Sequence, residues 1–261
     1  MKLKILSLIF LSLFLISTAY LVYTTMDSYF SDKVKQELSK QIEEDKNGQI
    51  KGKMVNGAEI LPKFLTIYEE NPAFAGWIKI ADTMMDYPVM KPAEDNNFYL
   101  THGPDGRKSK YGAIYLDVNS NLLNSNTNWI LYGHYFPDGS MFGMLENYKK
   151  EDFFKAHPQI QLDTIYEEGT YEIIAVFLSQ VYQKDQDIFK YYQYTDIETE
   201  EQFDEYVGNI KKIALYETGK TAQYGDSLIT LSTCDYWTKN GRLAVVAKKL
   251  HENSNEEFDK S

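Results

Sequence analysis

At 261 residues, 43% of them hydrophobic, the chain can bury the core of one domain of ordinary size and is not a disordered sequence. A net charge of −11 excludes a nucleic-acid partner, since a phosphate backbone asks for a basic face, and the excess acid reads as a solubility feature. The single cysteine excludes an internal disulfide framework, while 21 Tyr and 14 Phe lean towards β structure.

Residues 1–4 carry Lys2 and Lys4, and no charge follows from Ile5 to Met26. At about 1.5 Å per residue, the 5–26 run crosses an apolar bilayer core of about 30 Å. Asp27 and Asp32 follow it, so the positive-inside rule places a cytoplasmic N-terminus, a single membrane pass and everything after Met26 outside the cell. A cleaved signal peptide is the competing reading, because Ser17-Thr18-Ala19 resembles a cleavage site; the apolar run continues beyond it, which favours an uncleaved anchor.

Residues 27–75 form an N-terminal helical segment. Val34, Leu38 and Ile42 recur at four-residue spacing and predict a helix that stops at Asn47-Gly48. Pro62 opens a second helix that carries Phe64, Leu65 and Tyr68 and ends before Asn71-Pro72.

Residues 76–251 form the main domain, and 252–261 a polar tail. Eight β-like runs are predicted: Trp77–Ile80, Tyr87–Met90, Tyr111–Asp117, Asn128–His134, Gln159–Ile165, Tyr171–Val181, Ser227–Cys234 and Leu243–Lys249. Short strands without regular βα alternation point to a mainly β fold with added helices, a closed or nearly closed eight-stranded barrel. One long helix interrupts it late, from Thr199 to Thr218, with Phe203, Tyr206, Val207, Ile210, Ile213 and Ala214 on one face. Acidic residues crowd its start and Lys211 and Lys212 its end, the order that suits a helix dipole.

The chemistry concentrates in Ser227-Leu-Ile-Thr-Leu-Ser-Thr-Cys234, a polar loop, and a strand opening with Arg242. Such a hairpin brings Cys and Arg together, and a nearby guanidinium favours the thiolate and can hold an oxyanion. The bland alternative is a buried structural cysteine with a surface arginine. A thiol nucleophile needs a proton-transfer partner. Of the four histidines, His251 lies in the tail and His157 precedes a proline at a turn. His134 emerges from the end of an apolar strand and is the better placed, with His102 as the alternative. The histidines are scattered and lack ligand spacing with the cysteine, which argues against a metal site.

Thr230-Leu-Ser-Thr-Cys234 resembles the Thr-Leu-x-Thr-Cys motif of sortases, and Asn128-Trp-Ile-Leu-Tyr-Gly-His134 resembles the strand that delivers their histidine. Arg242 stands where their arginine opens the next strand. Asn71-Pro-Ala-Phe-Ala-Gly-Trp77-Ile, Asp138-Gly-Ser-Met-Phe142 and the inserted helix are similar to class B sortases in particular. The resemblance implies a cell-wall cysteine transpeptidase without a cofactor. Cys234 would form a thioester at the Thr of a sorting motif of the Asn-Pro-x-Thr type near the C-terminus of a secreted protein. His134 would move the protons, Arg242 would hold the carbonyl or oxyanion, and a peptidoglycan cross-bridge amine or its lipid-linked precursor would accept the product. It also implies that Ser232, Asp235, Asn96 and Leu100 border the substrate groove. A hydrolytic cysteine peptidase and a non-catalytic cell-wall module are the competing functions.

Overall fold

A computed structural model describes residues 2–48, 51–123, 127–183, 185–235 and 240–250. The polar tail 252–261, His251 and the loop residues 236–239 lie outside the described residues.

The first element is one continuous helix, α1 (Lys2–Asn47). The apolar run and the predicted Val34–Leu38–Ile42 helix are two halves of it, because neither Gly nor Pro stands between them to break the backbone. The first half exposes its Leu, Ile and Phe side chains, and the helix is long and apolar enough to cross a membrane. The second half turns Ile42 and Asp45 inward at helical spacing, and the Asp45 carboxylate accepts hydrogen bonds from the Thr66 amide (3.3 Å) and hydroxyl (3.1 Å).

A small hairpin follows, β1 (Lys53–Val55) and β2 (Ala58–Ile60), which the sequence reading did not anticipate. Its turn is Asn56-Gly57, both at positive φ (52° and 89°), the backbone that a two-residue hairpin turn requires. A 3-10 turn at Pro62–Phe64 then leads into α2 (Leu65–Glu70), where Pro62 predicted a helix.

The main domain is a closed barrel of eight strands. In chain order they are β3 (Phe74–Lys79), β4 (Asp86–Met90), β5 (Ile114–Leu116), β6 (Asn128–Tyr132), β7 (Gln159–Thr164), β8 (Thr170–Gln180), β9 (Leu228–Asp235) and β10 (Gly241–Lys249). Every predicted strand is present, with β5 shorter than its predicted run. Around the barrel the order is β10-β8-β7-β3-β4-β5-β6-β9, closed by β9 against β10. The β4–β5 and β6–β9 pairs are parallel. Short helices α3 (Phe98–Thr101) and α4 (Glu151–Ala156) and a 3-10 segment, Gly143–Lys149, fill connections between strands.

Helix α5 (Glu200–Lys212) lies between β8 and β9 in the chain, as predicted. The Thr199 hydroxyl caps it by accepting from the Gln202 amide at 3.3 Å. It ends earlier than the predicted Thr218. β7 pairs only with Thr170–Glu172 of β8, which leaves the β8 edge open further along, and the chain occupies that edge: Ala214 bridges Phe177 and the Leu215 amide donates to Val176 O at 2.8 Å. Unpaired strand edges favour such cover.

The alternation of β9 is hidden in the burial pattern because both its faces are covered. Ile229 and Leu231 point into the barrel with Trp129, Leu131, Leu243 and Val245. Leu228 points outward to meet Ala244 and Val246 beneath Phe203, Tyr206 and Ile210 of α5. Phe203 is fully buried there, so Phe203→Ala should destabilise the protein by about 3–5 kcal/mol. Glu201→Ala, on the exposed face, should stay within about 0.5 kcal/mol of wild type. Urea denaturation followed by circular dichroism of both variants checks this; equal effects would mean that α5 is not packed as described.

Candidate active site

Two registers bring the candidate residues together. In the antiparallel β9–β10 pair, Cys234 stands directly opposite Arg242. In the parallel β6–β9 pair, Tyr132 stands beside Ser232, the Gly133 amide donates to Ser232 O at 3.3 Å, and the Thr233 hydroxyl donates to Gly133 O at 2.9 Å. His134 therefore leaves β6 level with Cys234. Paired residues project from the same sheet face, so Cys234 and Arg242 share the outer face of the barrel at one end, with His134 beside them.

The Cys234 thiol is free and half-buried. Arg242 is half-buried, and its Nη1 donates to Gly241 O at 2.9 Å. His134 Nε2 lies 2.6 Å from Leu100 O. A carbonyl only accepts, so Nε2 holds the proton in that bond and Nδ1 is left for proton exchange in the neutral ring. Gly112 makes this fit possible. Its φ is +62°, and a Cβ there would stand 2.3 Å from Tyr99 O and 3.2 Å from the His134 ring.

A hydrogen-bonded ladder runs towards the site under α5. The Thr230 hydroxyl donates to Asn128 Oδ1 at 2.9 Å, Asn128 Nδ2 donates to Tyr194 O at 3.0 Å, and the Tyr206 hydroxyl lies 3.2 Å from both Asn128 Nδ2 and the Thr230 hydroxyl. Next along β9, the Ser232 hydroxyl is 2.7 Å from that of Tyr191. Burial pushes the Tyr191 phenol up to about 12, against the Ser232 hydrogen bond and the Arg242 charge, which lower it. Burial also pushes the Tyr115 phenol up, helped by the Asp117 and Cys234 charges and opposed by Arg242.

The four residues expected along a groove occupy different surroundings. Asn96 Nδ2 donates to Asp117 Oδ2 at 2.9 Å, and its Oδ1 accepts from the Val118 amide at 2.7 Å. Leu100 supplies the carbonyl under His134. Ser232 shares the face of Cys234 but is covered by Tyr191. Asp235 follows Cys234 and so faces the other side of β9. Its side chain is 2% exposed and ion-paired to Lys149 at 2.5 Å, which leaves it no surface on the Cys234 face. The Lys149 contact had no signal in the sequence, being fixed by the approach of the 3-10 segment to β9.

The other histidines stand elsewhere. His102 stacks on Phe98 (4.2 Å between ring centres) with Nδ1 2.9 Å from Phe98 O, and His157 ends α4 against Phe153. Among the described residues no group of three or more His, Cys, Asp or Glu could hold a metal ion. A half-exposed thiol with a guanidinium opposite and an imidazole alongside can perform acyl transfer through a thioester.

Comparison with known proteins agrees with this chemistry. The Sortase domain family model matches residues 78–250. Sortase B of Staphylococcus aureus is 31% identical over 191 residues, covering 72% of this chain and 75% of that protein. Sortase B of Listeria monocytogenes is 32% identical over 196 residues, covering 74% and 76%. Among solved structures, sortase B from Bacillus anthracis in complex with AAEK1 superposes with a TM-score of 0.71 at 30% identity, covering 87% of this chain and 99% of that one. The eight-stranded closed barrel with its added helices is the fold those structures share. The chain belongs to the sortase family, in its class B branch, and is a cysteine transpeptidase of cell-wall sorting.

Proposed function

We propose that Cys234 is the nucleophile, His134 the acid and base, and Arg242 the electrostatic stabiliser of a reaction that joins a secreted protein to peptidoglycan. The observation that carries this reading is the double register of β9, with Arg242 opposite Cys234 and His134 one step beyond the Tyr132–Ser232 pair. The Cys234 thiolate attacks the carbonyl carbon of the motif threonine. The C–N bond then breaks, His134 gives its proton to the departing amine, and a thioester remains. An incoming amine attacks that thioester, His134 takes its proton, and the C–S bond breaks to return the thiolate. One amide is exchanged for another, so the step needs neither oxidant nor external energy. Arg242 donates to the carbonyl oxygen while it carries negative charge.

In this reading the donor is a secreted protein with an Asn-Pro-x-Thr-like motif near its C-terminus, and the acceptor is an amine of the peptidoglycan cross-bridge or its lipid-linked precursor. The S. aureus relative, solved as a sortase B–substrate complex, is 25% identical with a TM-score of 0.73 and supports a substrate groove in this chain. Asn96 and Leu100 border that groove, with Ser232 supporting it from beneath through Tyr191. The apolar half of α1 is the membrane anchor, with the N-terminus inside the cell and the barrel outside. Incubation with a library of Asn-Pro-x-Thr-like peptides, with and without an added amine, read by mass spectrometry, tests both motif and reaction. Amide products support transfer; free acid alone in the presence of amine would make the protein a peptidase.

Cys234→Ala should abolish peptide cleavage with its circular dichroism unchanged, and retained turnover would remove Cys234 from the mechanism. His134→Ala should lose about 10²–10⁴ in rate, and His102→Ala should stay close to wild type; the reverse pattern would transfer the proton-moving role to His102. Arg242→Ala should lose about 10²–10³ in kcat, with Arg242→Lys in between, because lysine keeps the charge without the planar fork. A kcat/KM within a few-fold of wild type for Arg242→Ala would reduce Arg242 to a surface residue.

Full-length protein should sediment with the membrane fraction, and protease added to intact cells should remove the barrel. A soluble form beginning near Tyr20 would instead identify a cleaved leader.

A further inference from the structure

Asp235 sits next to the Cys234 thiol in the chain, with its side chain turned to the barrel side of β9 and nearly sealed from solvent (2% exposed). A carboxylate in such a place is unfavourable unless opposed by positive charge, and Lys149 brings one at 2.5 Å. Burial works against the Lys149 ammonium, and hydrogen bonds to Asp235 and Glu146 more than offset it, holding its pKa above that of a free lysine. Lys149 is also the last residue of a segment that starts at the opposite side of the site. The Phe142 amide donates to His134 O at 3.0 Å, and Gly143–Lys149 then runs as one 3-10 segment to the ion pair. The chain from 134 to 149 thus begins at the candidate proton carrier and closes on the residue after the candidate nucleophile.

We infer that Lys149 is a positioning residue for the transpeptidation: by opposing the Asp235 charge it keeps that carboxylate from raising the energy of the Cys234 thiolate, and it fixes the end of β9. The inference rests on the reading of Cys234 as nucleophile. Among the described residues, the charged and titratable groups on the face of the thiol are Arg242 from β10, His134 beyond β6, and Tyr115 and Tyr191, both of which feel the Cys234 charge. Asp235 is the carboxylate on the adjoining residue, and Lys149 with Glu146 stands behind it.

The chain has one cysteine, so alkylation of full-length protein in detergent micelles by iodoacetamide reports on Cys234 alone. Its rate against pH is measured for wild type, Lys149→Met, Lys149→Arg, Asp235→Asn and the double variant Lys149→Met/Asp235→Asn, with thermal melts alongside. Lys149→Met should move the midpoint up by about half to one pH unit and lower kcat/KM about tenfold, Asp235→Asn should move the midpoint down, and Lys149→Arg should rescue most of the activity. The double variant, lacking both charges, should return the midpoint close to wild type. Midpoints that stay fixed while only the melting temperature falls would overturn the inference, as would shifts of the two single variants in the same direction. If Lys149→Met does not fold, Asp235→Asn and the double variant decide it: the first must lie below wild type and the second close to it. Turnover by Cys234→Ala tests the nucleophile reading separately, since the alkylation profile does not depend on turnover.

Discussion

The parallel ladder between β6 and β9, from Asn128–Leu228 to Tyr132–Ser232, holds the rest of the site in place. β6 and β9 are about a hundred residues apart in the chain, and parallel strands cannot be joined by a tight turn, so the intervening segment must travel around the barrel and return. Because the two strands run the same way, both end at the same rim. One end delivers His134 and the other Cys234. The antiparallel partner β10 begins where β9 ends, which places Arg242 at that rim too. Register is strict here because a slip of one residue would turn Ile229 and Leu231 out of the barrel and Cys234 into it.

Covering β9 on both faces has an electrostatic consequence. Outward-facing positions that would otherwise be wet become buried under α5, so their polar groups need partners inside the protein. Asn128, Thr230 and Tyr206 satisfy one another, and Ser232 meets Tyr191. These hydrogen bonds stop where the cover of α5 and Tyr191 stops, and the next outward residue is Cys234, which is only half-buried. The thiol therefore stands at the boundary between a dry, hydrogen-bonded floor and solvent. There a charge opposite it acts through a lower dielectric than water, while a large substrate can still reach it.

Much of this was legible in the sequence, for identifiable reasons. The strands carry β-branched and aromatic runs bounded by turn residues, so all eight were found. Cys234 and Arg242 flank one hairpin, so their proximity follows from local geometry. His134 stands out over His102 because it leaves the end of an apolar strand, and the resemblance to sortases points to the same residue; its place beside Cys234 leaves no periodic mark, since the β6–β9 pairing is non-local. The β1–β2 hairpin was marked by Asn56-Gly57 but masked by its very short strands. The early end of α5 was hidden because Ile213 and Ala214 keep helical spacing although the backbone has turned to cover the β8 edge. Asp235 illustrates the limit most clearly. The resemblance to sortases implies a place along the groove, and strand alternation turns the Asp235 side chain to the face opposite Cys234, where it meets Lys149.

The continuity of α1 adds a constraint of its own. A flexible stalk would let the barrel tumble above the membrane, but one helix carries the apolar half and the half that packs on the domain. Contact starts at once beyond the uncharged run: the Lys110 amide donates to Asp27 at 3.0 Å, and the Arg107 guanidinium lies 5.3 Å from the Phe30 ring centre. Both partners belong to the loop that follows α3, the helix whose Leu100 carbonyl holds the His134 ring. On the proposed topology, the bilayer, the helix, this loop and the histidine form one mechanical series, and the site keeps a set height and direction relative to the surface where a lipid-linked acceptor would arrive.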